Sequence, residues 1–231
     1  MIKKDEIKKY FAGNTNTDFL KIVAVVTMLV DHIGRILFPG VLFFEVIGRL
    51  SFPLFAYCLA VGAFYSKDLK KYAWRLLFFA IISQPFYMLA LDRPISYLNV
   101  IFTMLFGLLA IYGLKEKKYY LFALTIISSY FLPFDYGLSG ILLMLIFYIF
   151  RDRLDILLIT SFIWLSLYFI PFSDPDFYLG GLGLNIGGFA VLSLILIYFK
   201  TDFKVRINKY FFYIFYPAHL LLLYLIKLWL Q

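Results

Sequence analysis

The sequence predicts an all-α fold, a polytopic bundle of about nine transmembrane helices with its N-terminus in the cytoplasm. The first observation is composition: 63% of the 231 residues are hydrophobic and 16% are charged, whereas a soluble domain carries roughly a quarter charged residues. The second is arrangement. The mean hydropathy is +0.87, and the apolar residues form long blocks separated by short polar connections. The third is the placement of the basic residues, which predicts the orientation.

The apolar blocks define the predicted spans. No small-residue cleavage site follows the charged N-terminus, so the first block is expected to stay as an uncleaved anchor. The predicted organisation is a cytoplasmic segment over 1–18 and a single transmembrane domain over 19–231. The fifth and sixth blocks are short and flank LPFDYG, so they either cross fully or form a re-entrant hairpin. The spans are 19–38, 43–65, 72–91, 97–114, 118–133, 136–150, 154–171, 183–199 and 209–230.

Lysines and arginines collect in every second connection between the blocks. The other connections carry Asp92 with Arg93, Asp135, and Asp174 with Asp176. Because basic loops stay on the cytoplasmic side, the N-terminus is predicted inside and the C-terminus outside. The net charge of +8 is then a topology signal, and we expect no nucleic-acid partner. The basic groups are Lys3, Lys4, Lys8 and Lys9; Lys67, Lys70, Lys71 and Arg75; Lys115, Lys117 and Lys118; Arg151 and Arg153; and Lys200, Lys204, Arg206 and Lys209.

Charged residues interrupt the first two spans. The stretch VVTMLVDHIGRILF carries Asp31 and Arg35, and the second span carries Glu45 and Arg49. Each acid stands four residues before its arginine, the favourable order for an ion pair on one helix. Two interpretations follow. Either the pairs neutralise the helices for insertion, or they belong to a functional site, as ionisable groups within a membrane often do.

Both histidines of the chain, His32 and His219, fall inside predicted spans. An imidazole near neutral pH can accept a proton from an amine or a hydroxyl, and an arginine can stabilise a developing oxyanion. Cys58 is the sole cysteine, which excludes an internal disulfide, and no metal-binding pattern occurs, so no metal is predicted.

Polar and small residues in the later spans allow two readings. Asn99, Asn185 and Gln84 are each equally plausible as cavity liners and as interhelical hydrogen-bonding groups. The glycines of LGGLGLNIGG, residues 179–188, favour close helix packing over a phosphate-binding nest.

Several segments together resemble the TraX family. They are LKIVAVVTMLVDHIGRILF, IGRLSFPLFAYCLAVGAFYS, RLLFFAIISQPFY, NVIFTMLFGLLAIY, DYGLSGILL and FYIFYPAHLLLLYLI, which follow one another from about residue 19 to residue 228. The DH of the first span, GRLSFPLFA and YPAH are the most distinctive. TraX-like proteins include the enzyme that acetylates the N-terminus of conjugative pilin. They look like distant relatives of the acyltransferase-3 enzymes that modify envelope polysaccharides and of heparan glucosaminide N-acetyltransferase.

The resemblance implies an integral acetyltransferase of the bacterial cytoplasmic membrane, with one transmembrane acyltransferase-like domain. It would move an acetyl group from cytoplasmic acetyl-CoA to an amine or hydroxyl of an envelope peptide, glycan or lipid. His32 would be the general base and Asp31 its charge-balancing partner, or else Asp31 would hold Arg35 or Arg49. One of these two arginines would stabilise the thioester oxyanion. The remaining implied contacts are Arg75, Lys71 and Asn99 for the cofactor, and His219, Tyr216, Glu45 and Asn185 for the substrate.

Two other classes of function stay open at this stage. A small-molecule or lipid transporter or flippase would use His32 and Arg49 as substrate or proton sites, although transporters usually show internal repeats and none is visible here. A scaffold subunit of an envelope machine would not need the histidines. The sequence does not identify the acceptor or the acyl chain length, and it leaves open N- or O-acylation and the formation of a homo-oligomer. Membrane lipids are expected partners.

Overall fold

The computed structural model describes residues 11–171, 174–202 and 205–230, and the chain is mostly helical. Lys3, Lys4, Lys8, Lys9 and Lys204, which the topology prediction used, lie outside these residues. Within them, three helical stretches are long and apolar enough to cross a membrane: Leu42–Tyr65, Leu69–Leu91 and Tyr210–Leu230. The helices are α1 (Thr17–Leu37), α2 (Leu42–Gly48), α3 (Ser51–Tyr65), α4 (Leu69–Leu91), α5 (Val100–Lys115), α6 (Tyr119–Phe131), α7 (Gly137–Ile149), α8 (Leu154–Ser166), α9 (Ser193–Tyr198) and α10 (Lys209–Leu230).

The apolar blocks correspond to helices whose ends agree with the predicted spans to within a few residues, apart from two departures. The second block is divided at Arg49 and Leu50 into α2 and α3, and the Ser51 hydroxyl at the start of α3 donates to the Ala24 carbonyl at 2.9 Å. The eighth block does not begin as a helix. The number of membrane crossings and the side of the N-terminus stay predictions.

The helical fold contains a β-hairpin, at residues 177–184, which the sequence did not predict; residues 183 and 184 were predicted to begin the eighth span. Here β1 (Phe177–Leu179) and β2 (Leu182–Leu184) form an antiparallel hairpin. Gly180 and Gly181 have φ angles of 56° and 85°, the left-handed conformations that a tight two-residue hairpin turn requires. A 3₁₀ helix (Ile186–Leu192) follows and leads into α9. A second 3₁₀ turn, Leu167–Phe169, extends α8.

The described chain divides into two compact units. Unit 1 comprises residues up to Cys58 together with Ile149–Arg206, and thus α1, α2, the start of α3, α8, the hairpin and α9. Residues 11–16 belong to its packing, because Phe11 is only 1% exposed and its ring lies 5.5 Å from that of Tyr57. The buried Asn14 amide donates to the carbonyls of Leu196 and Phe199. Residues 11–16 therefore pack with unit 1, and the division into a cytoplasmic segment over 1–18 and a transmembrane domain stays a prediction.

Unit 2 comprises Leu59–Tyr148 and the chain from Ile207 onward, with α4, α5, α6, α7 and α10. Helix α10 packs against α4, and the two run in the same direction. Near their N-terminal halves the rings of Phe79 and Tyr213 stack at 4.9 Å. At their C-terminal ends Lys227 forms an ion pair with Asp92 at 2.6 Å.

Alternate connections of unit 2 lie at opposite ends. Lys115, at the end of α5, donates from its ammonium to the carbonyls of Ala63, Phe64 and Ser66 at 3.0–3.3 Å. At the other end the Leu98 N–H donates to the Pro133 carbonyl at 2.8 Å. Helix α6 therefore runs alongside α5 between the same two ends. This arrangement agrees with the predicted alternation of basic and acidic connections.

The Lys115 ammonium caps the C-terminal end of α3 through hydrogen bonds to the carbonyls there, so replacing Lys115 with methionine is expected to destabilise the protein. The substitution keeps the length of the side chain but leaves three helix-end carbonyls without their charged donor. Hydrogen bonds to charged groups contribute roughly 1.5–3 kcal/mol, so thermal unfolding in detergent should begin at a clearly lower temperature. Lys67→Met, at an exposed lysine of the same end, is the control and should unfold like wild type. Equal unfolding of the two variants would contradict the capping role.

Candidate functional site

Two ion pairs form the charged centre of unit 1, as the spacing predicted. Arg35 Nε lies 2.9 Å from Asp31 Oδ2 on α1, and Arg49 Nη2 lies 3.0 Å from Glu45 Oε2 on α2. All four side chains are largely shielded, with 13–27% of each exposed. The alternative in which Asp31 holds Arg35 is therefore confirmed.

Glycines bring the two charged helices together. Helices α1 and α2 pack against each other, and a Cβ added at Gly48 of α2 would overlap the Asp31 side chain. On the other helix, a Cβ at Gly34 would overlap the Phe44 side chain. Because Gly48 has no side chain, the Asp31 carboxylate lies directly against α2. This positioning role of Gly48 was not predicted, because it depends on how α1 and α2 pack.

The four charges form one electrostatic cluster. Arg35, Arg49 and Glu45 all act on the Asp31 carboxylate, and the two acids and two arginines sum to zero. Arg49 uses Nη2 for its ion pair, while its buried Nε meets no hydrogen-bond acceptor among the described residues. Arg49 therefore holds a positively charged N–H donor that the described fold does not use.

His32 lies on the buried face of α1. It is 8% exposed, and it shares this face with Met28 and Ile36, each four residues away. Successive residues on a helix project about 100° apart, so the imidazole and the Asp31 carboxylate leave α1 in different directions. The buried imidazole thus belongs to the same helix turn as the ion pair.

The predicted cofactor contacts Arg75 and Lys71 lie in the first two turns of α4. The Arg75 guanidinium stands over the Tyr72 ring at 5.2 Å, and its charge also acts on Tyr213 of α10. Its buried Nε has no acceptor among the described residues. Lys71 is exposed. A half-buried guanidinium that stands over one tyrosine ring, close to a second tyrosine and beside an exposed lysine, suits a phosphate group.

Asn99 has a structural role in unit 2. Its buried amide donates to the Ala80 carbonyl at 2.9 Å and to Gln84 Oε1 at 2.8 Å, while its Oδ1 accepts from the Ile101 N–H. The interhelical hydrogen bond between α4 and α5 is therefore confirmed. Both amide protons are used within the fold, which argues against the predicted cofactor contact.

Asn185 caps the 3₁₀ helix that follows the hairpin. Its Oδ1 accepts from the Gly187 N–H at 2.8 Å. A Cβ at Gly188 would overlap the Phe169 ring, so close packing is confirmed for this glycine. The substrate contact predicted for Asn185 has no support in this geometry.

His219 and Tyr216 lie on the buried side of α10 in unit 2. His219 is 5% exposed, and its Nδ1 lies 2.7 Å from the Phe215 carbonyl oxygen. A carbonyl only accepts, so Nδ1 carries the proton and Nε2 bears the lone pair of the neutral ring. The Phe215 ring stacks on the imidazole at 4.8 Å, and the Tyr216 ring meets it edge-on at 5.7 Å. This arrangement fixes the orientation of His219.

These features define a class: a helical membrane protein in which two ion pairs and two buried histidines lie among apolar helices. The family model for the TraX protein matches residues 16–227. The chain belongs to the TraX family.

Two curated relatives extend this finding. The chain is 31% identical over 248 aligned positions to the probable fimbrial assembly protein FimC, serogroup H1, of Dichelobacter nodosus, covering 94% of this chain and 99% of that protein. It is 27% identical over 209 positions to an uncharacterised protein of Rickettsia prowazekii (strain Madrid E), covering 83% and 82% of the two chains. No solved structure matches the chain.

Proposed function

We propose that this protein is a membrane acetyltransferase that moves an acetyl group from acetyl-CoA to an amine or hydroxyl of an envelope acceptor. The observation that carries the proposal is the charge cluster of α1 and α2 beside a buried histidine, in a chain of the TraX family. Ion pairing alone would account for insertion of the helices. It does not account for the buried His32 or for the N–H of Arg49 Nε, which meets no acceptor among the described residues. A distant relationship to the acyltransferase-3 enzymes is part of the proposal.

His32 acts as the general base in this proposal. It takes the proton from the acceptor amine or hydroxyl as that group forms a bond to the carbonyl carbon of the acetyl group. Arg49, through Nε, stabilises the negative charge that develops on the acetyl oxygen. Asp31 and Glu45 hold the two arginines in place and keep the cluster neutral. The proton that His32 accepts returns to the departing thiolate.

Arg75 and Lys71 bind the phosphates of the donor. Acetyl-CoA supplies the acetyl group as a thioester, and its nucleotide end carries phosphates that suit a guanidinium and an ammonium. The Nε of Arg75, for which the described part of the chain offers no acceptor, supports this assignment. His219 and Tyr216 contribute to the acceptor site. The relative named as a fimbrial assembly protein favours a peptide of a fimbrial subunit over a glycan or a lipid.

The test of the enzyme is transfer of radiolabelled acetyl from acetyl-CoA by purified protein in detergent or nanodiscs. A panel of fimbrial peptides, envelope glycans and phospholipids serves as acceptors, and thermal unfolding with CoA reports binding. Label in one acceptor class supports the proposal and identifies the acceptor. Folded protein that neither binds CoA nor transfers acetyl refutes it. Uptake into liposomes independent of acyl-CoA would instead support a transporter.

Arg75→Met is expected to weaken CoA binding by about tenfold or more, because a lost hydrogen bond to a charged group is worth roughly 1.5–3 kcal/mol. Arg93→Met is the matched control, since Arg93 stands over Tyr97 at 5.1 Å much as Arg75 stands over Tyr72 at 5.2 Å. Calorimetric titration with CoA measures both. Equal affinity of the two variants would remove Arg75 from the donor site.

A further inference from the structure

The hairpin of β1 and β2 has a base that is fixed within unit 1. The Asp176 carboxylate accepts from the Ile186 N–H at 2.8 Å, and the Asn185 N–H donates to the Phe169 carbonyl at 3.0 Å. The Phe177 ring stacks at 5.9 Å on Phe189. The strands therefore project from a defined position at the end of the helical segment that finishes at Phe169.

The tip of this hairpin is apolar and exposed. Leu179 and Leu182 face each other across the ladder, and they are 66% and 70% exposed. Tyr178 is 70% exposed. No charged residue occurs over residues 177–199. A contiguous exposed apolar surface of this kind marks a site of contact with a partner or a membrane.

The exposed apolar surface continues from the hairpin onto the neighbouring helix. The apolar segment Leu154–Phe169 rises about 24 Å at 1.5 Å per residue, which is shorter than the roughly 30 Å hydrocarbon core of a bilayer. The hairpin is bonded to Phe169, at the end of this short segment. The exposed apolar side chains along the segment are Ile159, Phe162, Ile163 and Leu167, and the exposed Ile170 follows directly after it.

We propose that residues 178–182 are an interfacial anchor that inserts into the headgroup region of the phospholipid bilayer. The two-stranded sheet leaves an open edge on each strand, and its backbone groups need water, which excludes the hydrocarbon core. At the interface those groups stay hydrated while Leu179 and Leu182 reach the acyl boundary. A tyrosine such as Tyr178 is also typical of this depth.

The anchor has a consequence for the charge cluster of the same unit. The hairpin leads into the 3₁₀ helix Ile186–Leu192, which packs against α2, the helix that carries Glu45 and Arg49. The depth of the hairpin in the bilayer thus sets the depth of α2 in the bilayer. This role does not depend on the acetyltransferase proposal.

Site-directed fluorescence tests the anchor. Cys58 is the only cysteine, so in a Cys58→Ala background Leu182→Cys is labelled with an environment-sensitive probe and placed in nanodiscs with one protein per disc. We expect blue-shifted emission, strong quenching by lipids spin-labelled near the headgroup, and several-fold weaker quenching by aqueous iodide than at the control position. The control is Asp174→Cys, an exposed residue before the hairpin. Tyr178→Cys provides a second labelled position should Leu182→Cys not fold.

Three outcomes would overturn the anchor. Iodide quenching as strong as at residue 174 would place the tip in water. Shielding that appears only with two proteins per disc would identify a second copy of the chain as the occupant. Quenching strongest from spin labels near the bilayer centre would place the hairpin too deep for a hydrated sheet edge.

Discussion

Replacing His32 with alanine is expected to lower acetyl transfer by about 10²- to 10⁴-fold, the usual contribution of a general base. The substitution removes a buried imidazole on the packed face of α1 and leaves the ion pairs of Asp31 and Glu45 in place. Binding of CoA should be retained, because the proposed phosphate contacts belong to α4. Radiolabel transfer and calorimetric titration on the same preparation measure the two properties separately.

The control for this variant is His219→Ala, which removes the other buried histidine. If His32 is the base and His219 an acceptor contact, His219→Ala should mainly raise the KM for the acceptor. His32→Ala should lower kcat at every acceptor concentration. Full activity of a folded His32→Ala protein would reject the assigned base. The reverse pattern would transfer the role to His219, whose Nε2 already bears the lone pair.

Gly48→Ala is expected to lower the free energy of unfolding by about 1–3 kcal/mol, the range for overfilling a packed site, and to reduce acetyl transfer with it. The added methyl group would overlap the Asp31 side chain. Either α2 moves away from α1 or the carboxylate turns away from Arg35, and both changes disturb the cluster. Unfolding in detergent, followed by circular dichroism, measures the loss.

Gly62→Ala makes the same chemical change on α3 without the overlap, because its nearest neighbours are Tyr72 side-chain atoms at 3.5 Å or more. Alanine favours a helix over glycine by about 1 kcal/mol, so this control should be as stable as wild type or more stable. Equal effects at residues 48 and 62 would show that Asp31 tolerates a side chain at position 48.

Local features of the fold followed from the sequence. The ends of α4 and α10 follow from where apolar runs stop, because a buried or lipid-facing helix needs apolar side chains along its length. The pairs Asp31–Arg35 and Glu45–Arg49 follow from their spacing, since residues four apart are neighbours on any helix. The membership in the TraX family was likewise visible in the motifs of α1 and α10.

Features that depend on contacts between residues far apart in the chain could not be predicted from the sequence. Asp31 lies against Gly48 because α1 and α2 pack at that point, and no periodicity encodes the choice of partner. Lys115 was assigned to a basic connection on the cytoplasmic side, and nothing in the sequence indicated that its ammonium donates to the carbonyls at the end of α3. Most of the hairpin fell in the predicted connection after residue 171, and the end of β2 was assigned to the eighth span. A short apolar strand cannot be told from the start of a helix by apolar content alone.

The pairing of distant segments has a consequence for how the chain is made. Asn14 is hydrogen-bonded to a residue 187 positions later, and Asp92 pairs with a residue 135 positions later. Since a ribosome delivers the N-terminal segments first, α1 and α4 are made long before Thr201 and Lys227. The Asn14 contact of unit 1 thus forms only after Thr201 is made, and the Asp92 contact of unit 2 only after Lys227 is made. A chain cut short before α10 would therefore leave Asp92 without its partner Lys227, while Asn14 could still bond to Thr201.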